Sequence, residues 1–253
     1  MVFPPTPQRI PLSAEANKAI PTRAGGGSWL RRYRRVFPIP LCIMALAFLR
    51  PGMPWDSPVL DTLLDVVGVG CCCLGQGLRM WAWGSNATVG KHGVRIRGPY
   101  MLMRHPLYAG NFLILLGLVI IFHNPIAYPL FLLPFAYLYH VITDLEEARM
   151  YRRFGTDYQE YRVREVPRFW PAVGNLRAAL RSTLPFSWGF AWRKEYESCC
   201  GWLAGAVALE VYEGVLLRGW AQNWPYTVQG LLALGVIGIL ALVGKLRKDL
   251  NKR

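Results

Sequence analysis

Two short stretches hold most of the residues able to do chemistry. The first is His92-Gly93-Val94-Arg95, followed by Gly98-Pro99-Tyr100 and Arg104-His105-Pro106-Leu107-Tyr108. Gly98-Pro99 reads as a turn. Pro106 suits the first position of a helix, where its missing N–H has no partner to lose. A helix starting there offers free backbone N–H groups and the positive end of its dipole, an anion site that Arg104 and His105 would reinforce. The second stretch is Asp144-Leu145-Glu146-Glu147. Carboxylates at the C-terminal end of a helical span oppose its dipole, so their presence asks for a cation or a diol to bind. Facing one another, the two stretches bound a pocket with a positive and a negative wall, suited to a zwitterionic, hydroxyl-bearing ligand. Each has a plainer reading when taken alone: Arg104 and His105 snorkelling to a membrane surface, and the carboxylates ending a helix in solvent.

A third piece is the aromatic series Tyr151, Phe154, Tyr158 and Tyr161, spaced as one face of a helix with Gly155 interrupting it. Such a stripe anchors a helix at a membrane surface. It would also roof the pocket, since aromatic faces suit a purine ring or a sulfonium cation.

The elements that must position these residues follow from hydropathy. Of 253 residues, 53% are hydrophobic and only 17% charged, where a soluble domain carries about a quarter charged. The apolar residues form runs at 36–50, 59–82, 107–122, 125–142, 199–217 and 227–244, to be compared with the roughly 20 residues needed to cross a bilayer. Lys and Arg collect in the connectors 84–106 and 143–198 and in the C-terminal tail, and nearly vanish from 51–58, 123–124 and 218–226. This alternation predicts an all-α, polytopic membrane bundle of six transmembrane helices with both termini in the cytoplasm. Residues 1–30, rich in Pro, Gly and small polar residues, are expected to be a disordered tail, and 31–253 a single membrane domain. The third and fourth spans are joined only by Phe122, His123, Asn124 and Pro125, a helical hairpin. It must bring the ends near 105 and 146 together on the cytoplasmic side.

The net charge of +14 is distributed as topology demands, which argues against nucleic acid as a partner. The six cysteines show no ligand or CxxC spacing, so neither disulfide, metal site nor thiol nucleophile is expected. Asp61, Asp65, Arg79, Glu210 and Glu213 fall inside apolar runs but near their ends, where interfacial placement accounts for them.

With these residues in view, "HGVRIRGPYMLMRHPLYAG", the hairpin and "DLEEARMYRRFGTDYQEYRVREVPRFWP" resemble the isoprenylcysteine carboxyl methyltransferase and phospholipid methyltransferase superfamily. The resemblance covers about 85–171, the expected methyltransferase core, and leaves 172–253 as an extension with two further spans. It implies a multi-pass enzyme of a cell inner membrane or endomembrane that transfers a methyl group from S-adenosyl-L-methionine to a lipophilic acceptor entering from the bilayer. Isoprenoid acid and phospholipid amine are among the candidate acceptors. Carried over by position, His92, Gly93, Val94, Arg95, Tyr100, His105, Pro106, Leu107, Tyr108 and Glu146 would line the cofactor site, with Glu147 completing the acidic pair. His105 and the helix start would hold the methionine carboxylate, and Glu146 the amino group or ribose hydroxyls. His92 and the Tyr158–Arg168 segment would enclose the adenine. Arg104 and Glu147 are the candidates for action at the reacting groups. The substrate arginine of the prenylcysteine enzymes, four residues before the acidic pair, is here Ile142, so the acceptor stays open, as does the oligomeric state. Two other classes compete. A sterol-reductase-like membrane enzyme would bind NADPH, and a transporter or scaffold would bind neither cofactor and, if a transporter, show two related halves.

Overall fold

The computed structural model describes residues 48–52, 57–89, 93–163 and 166–250. The expected N-terminal tail, all but the last three residues of the 36–50 stretch, and His92 lie outside them. The described residues form seven α-helices and no strand: α1 (Pro58–Gly84), α2 (Pro106–Ile121), α3 (Ala127–Phe154), α4 (Thr156–Val163), α5 (Leu176–Arg181), α6 (Trp188–Arg218) and α7 (Trp220–Leu250).

Each boundary has a local cause. The Ser57 and Ser187 hydroxyls accept from Leu60 N and Phe190 N at the starts of α1 and α6, satisfying donors that no helical carbonyl can reach. Pro106 opens α2 as the sequence predicts. Gly155 at φ 50° and Gly219 at φ 79° end α3 and α6 in a conformation that costs a side-chain-bearing residue more.

Three helices, α1, α6 and α7, are long and apolar enough to cross a bilayer. The outward faces of α1 and α7 carry Val66, Leu74, Leu231, Leu232, Ile239 and Leu240, all exposed, as a bilayer-crossing helix requires. The other two expected spans among the described residues differ from their sequence outline. The 107–122 run forms the shorter apolar helix α2, of 16 residues. The 125–142 run is the first half of α3, which continues through the charged residues to Phe154. Asp144–Glu147 thus lie inside a helix rather than at its end.

Helices α1 and α2 form the most extensive contact in the bundle, and glycines permit it. Gly68 and Gly75 of α1 face Gly117 and Gly110 of α2; a Cβ on Gly75 would lie 2.5 Å from Gly110 O, and one on Gly110 2.7 Å from Gly75 O. Small residues at seven-residue spacing let the backbones approach closely. Gly75→Ala is expected to lower the thermal midpoint in detergent by the equivalent of about 1–3 kcal/mol of overpacking. Gly77→Ala, whose Cβ would have no heavy atom within 4 Å, should not lower it. Equal midpoints for the two variants would show that the glycine seam is not the contact that matters.

The antiparallel order gathers the C-terminal end of α1, the start of α2, the second half of α3 and the start of α6 at one end of the bundle. The start of α1, the α2–α3 hairpin and the end of α6 meet at the other.

Candidate functional site

At the first of these ends lies a cavity of about 780 Å³, within the usual range for a small-molecule site. Of the residues singled out by sequence, Gly93, Val94, Arg95, Tyr100, Arg104, His105, Leu107, Tyr108 and Glu146 line it. Pro106 is buried at the start of α2 and is not part of the lining. Glu147 is buried as well and stands behind the wall.

The hairpin brings the two stretches into contact. Tyr108 OH donates to Glu146 Oε1 at 2.6 Å, and His105 Nε2 lies 3.0 Å from Glu147 Oε1. Consecutive residues on a helix point about 100° apart, so Glu146 faces the cavity while Glu147 faces the segment 166–169. There Arg168 donates to both Glu147 oxygens, at 3.1 and 3.2 Å, and its Nη1 lies 2.7 Å from Asp144 Oδ1. Arg168 is therefore a strap across α3, a role its sequence position did not announce.

The same segment corrects one expectation. Arg104 N–H donates to Pro167 O and His105 N–H to Arg168 O, while Tyr108 N–H and Ala109 N–H both turn back to His105 O. Few backbone donors at the α2 start are left for an anion. The His105 ring is likewise drawn to Glu147. Arg104 lines the cavity; its Nε is buried and makes no hydrogen bond, but its charge is paired with Glu147, whose Oε1 lies 3.5 Å away.

Burial alone would raise the Glu147 carboxyl. The hydrogen bonds from His105 and Arg168 and the charge of Arg104 overcome it and hold the group at about 2. A carboxyl depressed in the folded state contributes stability above its unfolded value, near 4.5, and loses it as pH falls toward 2. The wild type should lose on the order of 3 kcal/mol across that window relative to Glu147→Gln, read as midpoints in detergent between pH 5 and 2.5. Parallel profiles would show that Glu147 holds nothing.

The aromatic stripe forms a corner rather than one helix face. Gly155 separates Tyr151 and Phe154 on α3 from Tyr158 and Tyr161 on α4, and both pairs pack with Val94 and Val166. The buried Tyr161 hydroxyl donates to Tyr100 O at 2.6 Å, and burial pushes its phenol well above the usual range. It is a neutral wall, not a base. Arg95 lies over the Trp83 ring at 4.4 Å, and the loop carrying it is closed by Asn86, which bonds Arg97 at both N and O.

Deeper in the cavity are residues that sequence reasoning missed. Glu195, 1% exposed, takes the Arg79 guanidinium on both oxygens at 2.7 and 2.9 Å and accepts from Gln76 Nε2 at 3.1 Å. Arg79 also donates to Asn111 Oδ1, and Asn111 Nδ2 donates to Tyr139 OH at 2.7 Å. Arg79 was expected to be interfacial, and Glu195 was not singled out. A lone Asn inside the α2 apolar run was the available signal. Ile142, by contrast, is fully buried and is not part of the lining.

This geometry coincides with a shared pattern: residues 64–157 match the family model described as phospholipid methyltransferase. The match agrees with the superfamily resemblance read from the sequence. The family segment runs from within α1 to the start of α4 and so spans most of the cavity wall, but not Tyr158, Tyr161, Lys194 or Glu195. Two curated relatives align beyond it. The chain is 25% identical over 154 residues to the nickel-cobalt-cadmium resistance protein NccN of Alcaligenes xylosoxydans xylosoxydans, covering 60% of this chain and 70% of the relative. It is 31% identical over 123 residues to the cobalt-zinc-cadmium resistance protein CzcN of Cupriavidus metallidurans, covering 49% of this chain and 54% of the relative, so it spans about half of that protein. No solved structure matches.

Proposed function

We propose that this chain is a multi-pass membrane methyltransferase that uses S-adenosyl-L-methionine and acts on a lipophilic acceptor. The observation that carries the reading is the convergence of a guanidinium side chain, Arg104, and a carboxylate, Glu146, on one cavity at the tips of two hairpin-linked helices. An amino-acid carboxylate suits the first and an ammonium or a ribose diol the second. The aromatic corner suits the adenine, and the cavity volume suits a ligand of that size. When bound, this cofactor supplies a methyl group already activated on a sulfonium.

The residues of the chain then have four tasks. Arg104 and Glu146 orient the donor, with Tyr108 holding the Glu146 carboxylate in place. Tyr158 and Tyr161 exclude water. Arg79, Asn111 and Tyr139 meet the polar group of the acceptor. Phe135 and Leu138 accept its apolar portion. Alignment of donor and acceptor at roughly 3–3.5 Å is the main demand of such a transfer. The cavity end carries Arg95, Arg104, Arg153 and Lys194, so the positive-inside rule turns it toward the cytoplasm.

The test is to incubate membranes holding the full chain with methyl-labelled cofactor and separate the lipids. Label in one lipid class, lost in Glu146→Ala, is expected. Unlabelled lipids together with NADPH-dependent reduction of a membrane lipid would replace this reading with the reductase.

A further inference from the structure

The far end of the bundle holds a second constellation. His123, in the α2–α3 hairpin, has its side chain fully buried between α1 and α6. Its Nδ1 lies 3.1 Å from Asp61 Oδ1 and 3.3 Å from both oxygens of Glu213. Its Nε2 lies 3.2 Å from Asp65 Oδ1. Along α1 the step from Asp61 to Arg79 is about 27 Å at 1.5 Å per residue, so this cluster is remote from the methyltransferase cavity. We propose that Asp61, His123 and Glu213 bind a divalent first-row transition-metal ion of the zinc or cobalt type.

The spacing favours an ion over a plain hydrogen-bonded cluster. One ligand atom from each of the three residues lies within 4.8 Å of the other two. Ligands about 2.0–2.2 Å from a zinc-like ion are separated by roughly 3–3.5 Å, the spacing His123 Nδ1 keeps from Asp61 and Glu213, 3.1 and 3.3 Å, and a small inward shift of the two carboxylates brings all three to one centre. A ring N–H at Nδ1 serves one acceptor, and it serves Glu213; Asp61 Oδ1, though buried, makes no hydrogen bond. A second observation points the same way. Asn223, 1% exposed, leaves its Oδ1 buried and unbonded, and it lines a cavity of about 420 Å³ together with Asp61, Glu210 and Glu213. That cavity gives an ion a path to Asp61 and Glu213.

Charge agrees. Four carboxylates, Asp61, Asp65, Glu210 and Glu213, face His123 and Arg218; with the imidazole neutral, as a metal ligand must be, an added dication offsets most of the excess negative charge. Asp65 Oδ1 lies 3.2 Å from Nε2, where a carboxylate commonly positions a metal-binding imidazole, although neither atom makes a hydrogen bond here. One imidazole with carboxylates suits zinc, cobalt or nickel better than soft copper(I) or hard calcium. The sequence-level expectation of no metal rested on ligand spacing along the chain. These ligands come from two helices and a hairpin, so no spacing could reveal them.

The experiment uses the full chain in detergent, stripped with chelator and dialysed against cobalt(II) or zinc(II). One ion per chain is expected, with a visible cobalt absorption band and a raised thermal midpoint. His123→Ala and Glu213→Gln should each weaken cobalt binding by about 100-fold. Asp61→Asn, a near-isosteric change, guards against loss of fold and should weaken it as well. Glu146→Ala should bind the ion as the wild type does. Failure of the wild type to retain cobalt or zinc, equal binding by Asp61→Asn, or equal competition from magnesium or calcium would each overturn the assignment.

Discussion

Glu146→Ala is expected to weaken binding of S-adenosylhomocysteine by about 10- to 100-fold and to remove methyl transfer, while the protein stays folded. A hydrogen bond to a charged group is worth about 1.5–3 kcal/mol, which sets that range. Stability should survive because the ion cluster that fastens α2, α3 and residues 166–169 together is built on its neighbour Glu147. The two adjacent carboxylates should therefore separate in opposite senses. Glu146→Ala would lose affinity at an unchanged midpoint, and Glu147→Ala would lose midpoint first. Calorimetry and thermal unfolding on the same samples read both. Tyr108→Phe, which removes the 2.6 Å hydrogen bond that the Tyr108 hydroxyl donates to Glu146 but leaves the charge, should be milder. If it proves the more damaging change, Tyr108 rather than Glu146 makes the decisive contact.

The largest effect on stability belongs to Glu195→Ala. Removing one partner of a buried ion pair leaves the other charge uncompensated and costs about 3–5 kcal/mol. Here the stranded groups would be Arg79, whose side chain is 15% exposed, and the buried Gln76. The expected result is a marked fall in the midpoint of unfolding in detergent. Replacing both charges with apolar residues, as in Arg79→Met with Glu195→Leu, should recover part of it. A single variant within about 1 kcal/mol of wild type would place this pair among weak surface ion pairs. Because Arg79 and Asn111 reach into the cavity, the double variant should still be impaired with the acceptor.

What was legible in the sequence and what was not divide along one physical line. The Phe122–Pro125 connector is too short for anything but a hairpin, so the meeting of His105 with the acidic pair followed from local chain geometry. The start of α2 at Pro106 and the break at Gly155 were likewise local. Glu195 is 116 residues from Arg79, and nothing within either helix says that they face one another. The strap of 166–169 over the α2 start was hidden for the same reason, and it removed the free N–H groups that Pro106 had suggested. Continuation of α3 past its apolar half was missed because hydropathy marks where lipid ends, not where a helix ends. The different outlooks of Glu146 and Glu147 were within reach of helical periodicity, once one of them was known to face the cavity.

The most direct test of the cofactor site is ultraviolet cross-linking of methyl-labelled S-adenosylmethionine to the purified full chain, followed by peptide mapping. Label is predicted on peptides from 93–108 and 146–161, displaced by excess S-adenosylhomocysteine and absent in Glu146→Ala. Displaceable label confined to peptides elsewhere, such as 207–233, or no displaceable label at all, would contradict it.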